Sequence, residues 1–432
     1  MDRIGSFVRV SPTTTRVRLV QTLKRVWALP GAGVVTGASD DDPSGIATYS
    51  VTGAQTGYGL LWTSLVTLPL NVGIQEICAR IGLVTGGGLA SILRRHYPRR
   101  LLVALVSLLF VANTVNIGAD IAAVAAGINL LVGVPEGALV VPVAAGILLT
   151  EVFVPYRIFA TYLKFLTLVL FAYVADAFVA GPHWGAALRA TFVPHIRLNA
   201  TFITTLVAIL GTTISPYLFF WQTSEEVEEM HRRKILPGDE PELRRAQIDT
   251  NIGMLLANVV FYFIVLTTAA TLYPAGIHKI ATAREAAEAL RPLAGDHAAT
   301  LFAIGLVGTG LLAIPVLAGS AAYAVSEVFE WREGLEKRAS DAPQFYAVIA
   351  LSTMIGMVIA LSGVGAIRAL FVAAVINGVI SPVLIAAILV VSNDERVLGV
   401  HRNGIVSNVL GGATVAVMGL AAIGMVIAFL LG

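Results

Sequence analysis

The sequence predicts an all-α polytopic membrane protein, built as two inverted five-helix repeats plus one extra helix. Three observations predict it. The 432 residues are 56% hydrophobic and only 13% charged, with a mean hydropathy of +0.81, about half the charge of an ordinary soluble domain. Eleven runs are long and apolar enough to span the hydrocarbon core. Two of those runs are interrupted at a proline, and they lie five spans apart. An odd offset inverts one half relative to the other, and interrupted segments in matching places mark a transporter-like binding site.

The elements follow in order. Residues 1–27 are polar and basic without an apolar h-region, which reads as a cytoplasmic tail rather than a signal peptide. The first repeat covers 28–182, with spans at 29–53, 57–82, 101–132, 136–155 and 158–181. The second covers 199–393, with spans at 200–224, 250–273, 297–329, 343–363 and 366–392. Residues 404–432 hold the last span, at 405–431. Between them, residues 281–290 show an amphipathic helix pattern expected on the surface.

Charge sets the orientation. With the N-terminus inside, 22 lysines and arginines fall in inner segments and 6 in outer ones, with Lys164 inside a span. The expected location is the cell membrane, N-terminus cytoplasmic and C-terminus outside. The single cysteine, Cys78, excludes an internal disulfide.

The most informative segment is Asp40-Asp41-Asp42-Pro43-Ser44-Gly45, inside the first span. A carboxylate at mid-bilayer costs about 2.5–3.5 kcal/mol even on the most lenient scale, so three in a row need a partner or a task. Pro43 has no amide hydrogen, so the helix breaks and carbonyl oxygens are freed beside the acids. Carboxylates with carbonyls make a hard-cation site. The sixth span breaks at Thr212-Thr213-Ile214-Ser215-Pro216-Tyr217. Taken alone, Thr212 and Ser215 are ordinary helix-packing residues; their place around Pro216 raises them. Asn113, Asn116 and Asp120 share one face of the third span, and Asn377 and Ser381 one face of the tenth. Such polar stripes either line a water-filled route or join helices. Pro69, Pro142, Pro315 and Pro382 have no acid beside them and read as kinks. Glu225, Glu226, Glu228 and Glu229 read as a solvated helix end, Glu76 as a partner for an inner arginine, and Gly86-Gly87-Gly88 as a turn. No catalytic constellation, zinc spacing or nucleic-acid patch is visible, which argues against an enzyme and against nucleic acid as a partner.

These residues resemble the natural-resistance-associated macrophage protein (NRAMP) family of divalent metal transporters, and most closely its magnesium-transporting branch. Residues 79–98 resemble the family's loop after the second helix, and 392–399 the inner end of the tenth. The resemblance implies a leucine-transporter-type (LeuT) fold, with helices one and six unwound at the midplane. Where classical members carry Asp-Pro-Gly-Asn, this chain has Asp42-Pro43-Ser44-Gly45, so the Asp matches and the Asn ligand is lost. Where they carry Ala-x-x-Met-Pro-His, Thr212 matches the carbonyl-offering position, Ser215 replaces the methionine and Tyr217 the histidine. In helix three, the family's acids fall at Ile117 and Asp120.

Losing a soft thioether and keeping oxygen donors favours hard ions, and smaller side chains leave room for the waters that Mg²⁺ keeps. The expected metal set is Asp42, Gly45, Thr212, Ser215, Tyr217 and Asn377, with Gly45 and Thr212 offering carbonyls and Ser215, Tyr217 and Asn377 reaching ion-bound waters. The expected ion pathway is Asp41, Asn116, Asp120 and Ser381. The missing histidine and helix-three aspartate remove the resemblance's proton carriers, so the expected activity is uniport of Mg²⁺, with Mn²⁺ the second ion. The cation is cargo; no cofactor is expected, and the partners are that ion and the lipid bilayer. A proton-coupled Mn²⁺ or Fe²⁺ importer is the nearest alternative. A carrier of amino acids or other organic solutes, or a non-transporting sensor, is the alternative of another class. Three aspartates would repel a substrate carboxylate.

Overall fold

The computed structural model describes residues 31–154, 168–197 and 199–431. The expected tail at 1–27 and residues 158–167 of the fifth span lie outside the described residues. The described secondary structure is helical throughout.

The first span is two helices, α1 (Ala32–Asp40) and α2 (Pro43–Thr56). Then come α3 (Trp62–Thr85), α4 (Leu89–His96), α5 (Arg99–Val132) and α6 (Glu136–Phe153). The fifth span is described from Leu168, as a 3-10 turn and α7 (Ala172–Val179), and α8 (Trp184–Phe192) follows it. The sixth span is also two helices, α9 (Ala200–Thr213) and α10 (Pro216–Arg233). Next are α11 (Glu240–Thr271), the short α12 (Ala283–Ala287) and α13 (Arg291–Ala294), and α14 (Ala298–Phe329). The chain ends with α15 (Pro343–Ala360), α16 (Ala366–Ser392), the short α17 (Glu395–Leu398) and α18 (Ile405–Leu431).

Among the described residues, eight helices are long and apolar enough to cross a membrane, and α3, bent 80° from α4, makes a ninth. The first span adds a tenth segment in pieces of nine and fourteen residues. The expected breaks at Pro43 and Pro216 are both present. α11 starts ten residues before the expected 250, because its first turns are polar and lie outside the apolar run.

Each break is made by the same local chemistry. Proline at the first helical position tolerates its missing N–H and forces the residue before it into extended backbone. Asp42 accordingly has ψ 171° and Ser215 ψ 134°. The residue before each also leaves the helix, Asp41 with ψ 44° and Ile214 with ψ 62°.

The two third helices of the repeats, α5 and α14, lie against each other, and α15 and α16 pack along α5. The broken helices thread this scaffold: α1 and α2 against α11, α9 against α16, α10 against α3 and α14. The crossing of α1 and α11 is backbone on backbone. Gly33 and Gly37 face Thr250 and Gly253 with no room for a Cβ on any of the three glycines. In a membrane, small residues at such crossings supply the contact that water-driven burial cannot.

Two expectations are corrected here. The pattern at 281–290 does not lie free on the surface. Ala283, Ala286, Ala289 and Leu290 are buried in the core formed with Phe302 and Leu306, and a Thr282–Glu285 capping box starts the turn. The glutamates at the end of α10 are not solvated either. Glu226 is 4% exposed and accepts from Gln222 Nε2, and Glu228 accepts from the Tyr323 hydroxyl and the Leu335 amide. Glu228 lines a cavity of about 300 Å³ with Glu327 and Gly86–Gly88. Sequence cannot show this, because the enclosing groups come from α14 and the loop after it. The Gly86-Gly87-Gly88 turn is present, with Gly86 at φ 65°. A Cβ on Gly88 would overlap the Glu327 carboxylate, which caps α4 by accepting from the Ser91 amide at 2.9 Å.

Candidate functional site

The two breaks meet. Ser44 Oγ, just past the first, lies 3.0 Å from Thr212 Oγ1, just before the second. The Tyr49 hydroxyl lies 3.3 Å from Thr213 Oγ1, and its ring stacks on Phe261 at 4.3 Å. The residues around this meeting point are almost wholly buried. Asp40, Asp41 and Asp42 are 3%, 5% and 1% exposed, and Asp120 is fully buried.

Asp42 is the best-satisfied of the acids. As the N-cap of α2, its Oδ1 accepts from the Gly45 amide at 2.7 Å and Ser44 Oγ at 2.6 Å. Its Oδ2 accepts from Asn116 Nδ2 at 3.1 Å and, at 3.4 Å, from the Tyr217 hydroxyl. Asp42 therefore sits at the positive end of a helix with donors around it, an arrangement that holds a charged carboxylate. The free acceptors belong to its neighbours. Asp40 Oδ1, Asp41 Oδ1 and both Asp120 oxygens are buried with no hydrogen-bond partner. Among the described residues no lysine, arginine or histidine forms an ion pair with any of the four.

The other expected residues sort by what their polar atoms do. Gly45 turns its amide, not its carbonyl, toward Asp42. The Thr212 carbonyl and that of Gly211 accept from Ser215 Oγ, each at 2.8 Å. The Tyr217 hydroxyl donates to the Ser39 carbonyl at 2.8 Å, filling one acceptor freed by the break. Ser381 Oγ donates to the Ile214 carbonyl at 2.7 Å, tying α16 to the second break. Asn113 donates to the Leu317 carbonyl, joining α5 to α14. Asn377 is 1% exposed with neither amide atom partnered. Asn116 keeps a free Oδ1 while its Nδ2 holds Asp42.

Three further buried polar residues lie on α3 and α10. Asn71 Nδ2 donates to Asp40 Oδ2 at 3.3 Å and leaves its own Oδ1 free. Gln75, four residues on along α3, is fully buried with neither amide atom bonded. Gln222 accepts from Thr36 Oγ1 and donates to Glu226. The signal for Asn71 and Gln75 is present in the sequence as amides four apart in an apolar span. Among the described residues, no three His, Cys, Asp or Glu side chains converge as a metal-binding group. Any cation here would be held by single carboxylates together with amide oxygens, carbonyls and water, which suits a hard, hydrated ion.

Known proteins share this architecture. The natural resistance-associated macrophage protein-like family matches residues 33–428. A relative named divalent metal cation transporter MntH from Verminephrobacter eiseniae is 27% identical over 420 residues, covering 93% of this chain and 90% of its own. One of the same name from Mesorhizobium japonicum is 28% identical over 294 residues, a match spanning 67% of this chain and 64% of that relative. In three dimensions, a manganese transporter from Eremococcus coleocola superimposes with a TM-score of 0.75 over 93% of this chain and 86% of its own, at 19% identity. Mhp1, a nucleobase-cation-symport-1 family transporter, superimposes at 0.59 over 93% of this chain and 91% of its own, at 13% identity, so the leucine-transporter-type architecture is shared. The family match runs through both breaks and nearly the whole of the described helices, and the chain belongs to the natural resistance-associated macrophage protein-like family.

Proposed function

We propose that this chain carries divalent metal cations across a membrane by alternating access, Mg²⁺ foremost and Mn²⁺ second, as a uniporter without proton coupling. One observation carries the reading. Four buried carboxylates gather at and beside the paired helix breaks, with several of their oxygens unpartnered and, among the described residues, no basic side chain in an ion pair with them. Charge left unpaired in hydrocarbon costs several kcal/mol, about what a divalent cation would offset.

Asp42 is the electrostatic anchor. Asn116, Tyr217, Ser44 and the Gly45 amide fix its carboxylate. Asn377 and Asp120 face the ion with atoms that have no other use. Ser215, standing where a methionine would supply sulfur, leaves an all-oxygen site that suits Mg²⁺. An inside-negative potential drives such an ion inward at about 2.3 kcal/mol per charge per 100 mV, so no coupled proton is needed. The N-terminus is cytoplasmic and the C-terminus outside. The second reading is a proton-coupled Mn²⁺ importer, its ion suggested by the likeness to the Eremococcus coleocola manganese transporter.

Reconstituted liposomes test this, with Mg²⁺ or Mn²⁺ outside and a pH-sensitive dye inside. The proposal expects Mg²⁺ uptake with no accompanying acidification. Saturable Mn²⁺ uptake with proton entry and no Mg²⁺ flux would replace it with the second reading.

A further inference from the structure

We infer a second cation station on the inner side of the first break, formed between α1 and α3 by Asp40, Asn71 and Gln75. The inference rests on the proposed cation transport and assigns it a further site, through which the ion passes after leaving Asp42.

The argument begins with cost. Gln75 is fully buried in a membrane-spanning helix, and neither its Oε1 nor its Nε2 has a partner. An amide left unbonded in an apolar interior costs about 1–3 kcal/mol on mutational scales, where leucine of similar size would cost nothing. Asn71 lies one turn earlier on the same face. Its Nδ2 is directed at Asp40 at 3.3 Å, while its Oδ1 is buried and free. Asp40 has a free Oδ1 and no basic partner among the described residues. One carboxylate oxygen and two amide oxygens are a hard donor set, to be completed by water. Asp40, which Asn71 contacts, ends α1 before the break, whereas Asp42 sits after it as the cap of α2.

The polar path continues from there. Thr36, one turn before Asp40 on α1, donates to Gln222, and Gln222 donates to Glu226 at 2.9 Å. Glu226 stands near the end of α10, beside the charged loop that leads to α11. A cation moving this way exchanges one set of oxygens for another without crossing an apolar gap.

Two variants, Gln75→Leu and Asn71→Leu, test the station in the full-length chain. Mg²⁺ titration of the purified protein by calorimetry is expected to give two binding events. In either variant the weaker event is lost, and the tighter one stays within about twofold, as for independent sites. Uptake into liposomes, measured with Mg²⁺ and in a parallel arm with Mn²⁺, is expected to fall about tenfold. The unfolding temperature of Gln75→Leu is expected to match or exceed that of the native chain, which a packing role would not allow. Uptake within about twofold of native in both variants, or a lowered unfolding temperature for Gln75→Leu, would overturn the station. Asp42→Ala separates the two claims. Native uptake in that variant would sink the transport site itself, whatever Gln75 and Asn71 do.

Discussion

Asp42 and Ser215 occupy the same position in the two helix breaks. Each is the extended residue before a proline, each holds the N-cap position of the helix that follows, Asp42 alone with a side-chain cap, and each comes after one residue that has left the helix. Backbone geometry is thus matched between the halves while the side chains differ by a full charge. That asymmetry puts the electrostatic weight on the first break and leaves the second to tune it.

Asp42 is expected to be indispensable for flux but replaceable for folding. Asp42→Asn keeps an N-cap acceptor for the Gly45 amide and removes the charge. Mg²⁺ uptake should fall to that of protein-free liposomes with the unfolding temperature nearly unchanged. Asp42→Ala should lose uptake equally, and a further 0.5–2 kcal/mol or about that with the cap. Flux in Asp42→Asn near the native rate would remove the anchor from the proposal.

Ser215→Met returns a thioether to the second break. Soft sulfur favours transition metals, so the ratio of Mn²⁺ to Mg²⁺ uptake should rise by about tenfold, the scale of single changes at metal sites. Competition assays with both ions read it directly. An unchanged ratio would mean that position 215 does not face the ion.

Gly37→Ala and Gly253→Ala each place a methyl group where α1 meets α11 with no space for it. Overpacking of this kind costs about 1–3 kcal/mol. Both variants should unfold at lower temperature and transport more slowly, because α1 is displaced from the scaffold that aligns Asp40–Asp42. Thermal unfolding beside flux checks both effects.

Glu333, in the loop after α14, gives a pH test outside the membrane. Burial, then repulsion from Glu327, pushes its carboxyl well above the usual range. The folded chain therefore holds this proton more tightly than the unfolded one. Its contribution is at its most favourable below the ordinary glutamate value of about 4.3 and is eroded as pH rises toward the raised one. Glu333→Gln should flatten that decline, unfolding like the native chain at about pH 4 and at a higher temperature under alkaline conditions. Parallel pH profiles of the two proteins would disprove it.

Much of this was legible in the sequence because the decisive chemistry is local. Proline at 43 and 216 stands among polar residues, unlike Pro69, Pro142, Pro315 and Pro382, which lie inside continuous helices, so both breaks and the inverted repeat could be read from composition and spacing. The positions of Asn113, Asn116 and Asp120 on one face followed from helical periodicity alone. What sequence could not reveal is which polar atoms end up satisfied, since their partners arrive from other helices. Asp42 gains Asn116 from α5 and Tyr217 from α10, whereas Asp40 keeps a free oxygen. Ser381 looked like a route residue and is spent on the Ile214 carbonyl. Glu228 looked solvated and is enclosed by Tyr323 from α14. Asn71 and Gln75 show the same four-residue spacing that singled out Asn377 and Ser381.

The glycine seam between α1 and α11 has a mechanical meaning. Interlocked side chains must change rotamer before two helices can part, and that requirement acts as a ratchet. Bare main chain resting on bare main chain has no teeth. In the proposed alternating access, the half-helix carrying Asp40 would tilt about a tie at its start, where the Val34 amide donates to Asp249 Oδ2 at 3.1 Å, with the hinge supplied by the proline two residues beyond Asp41.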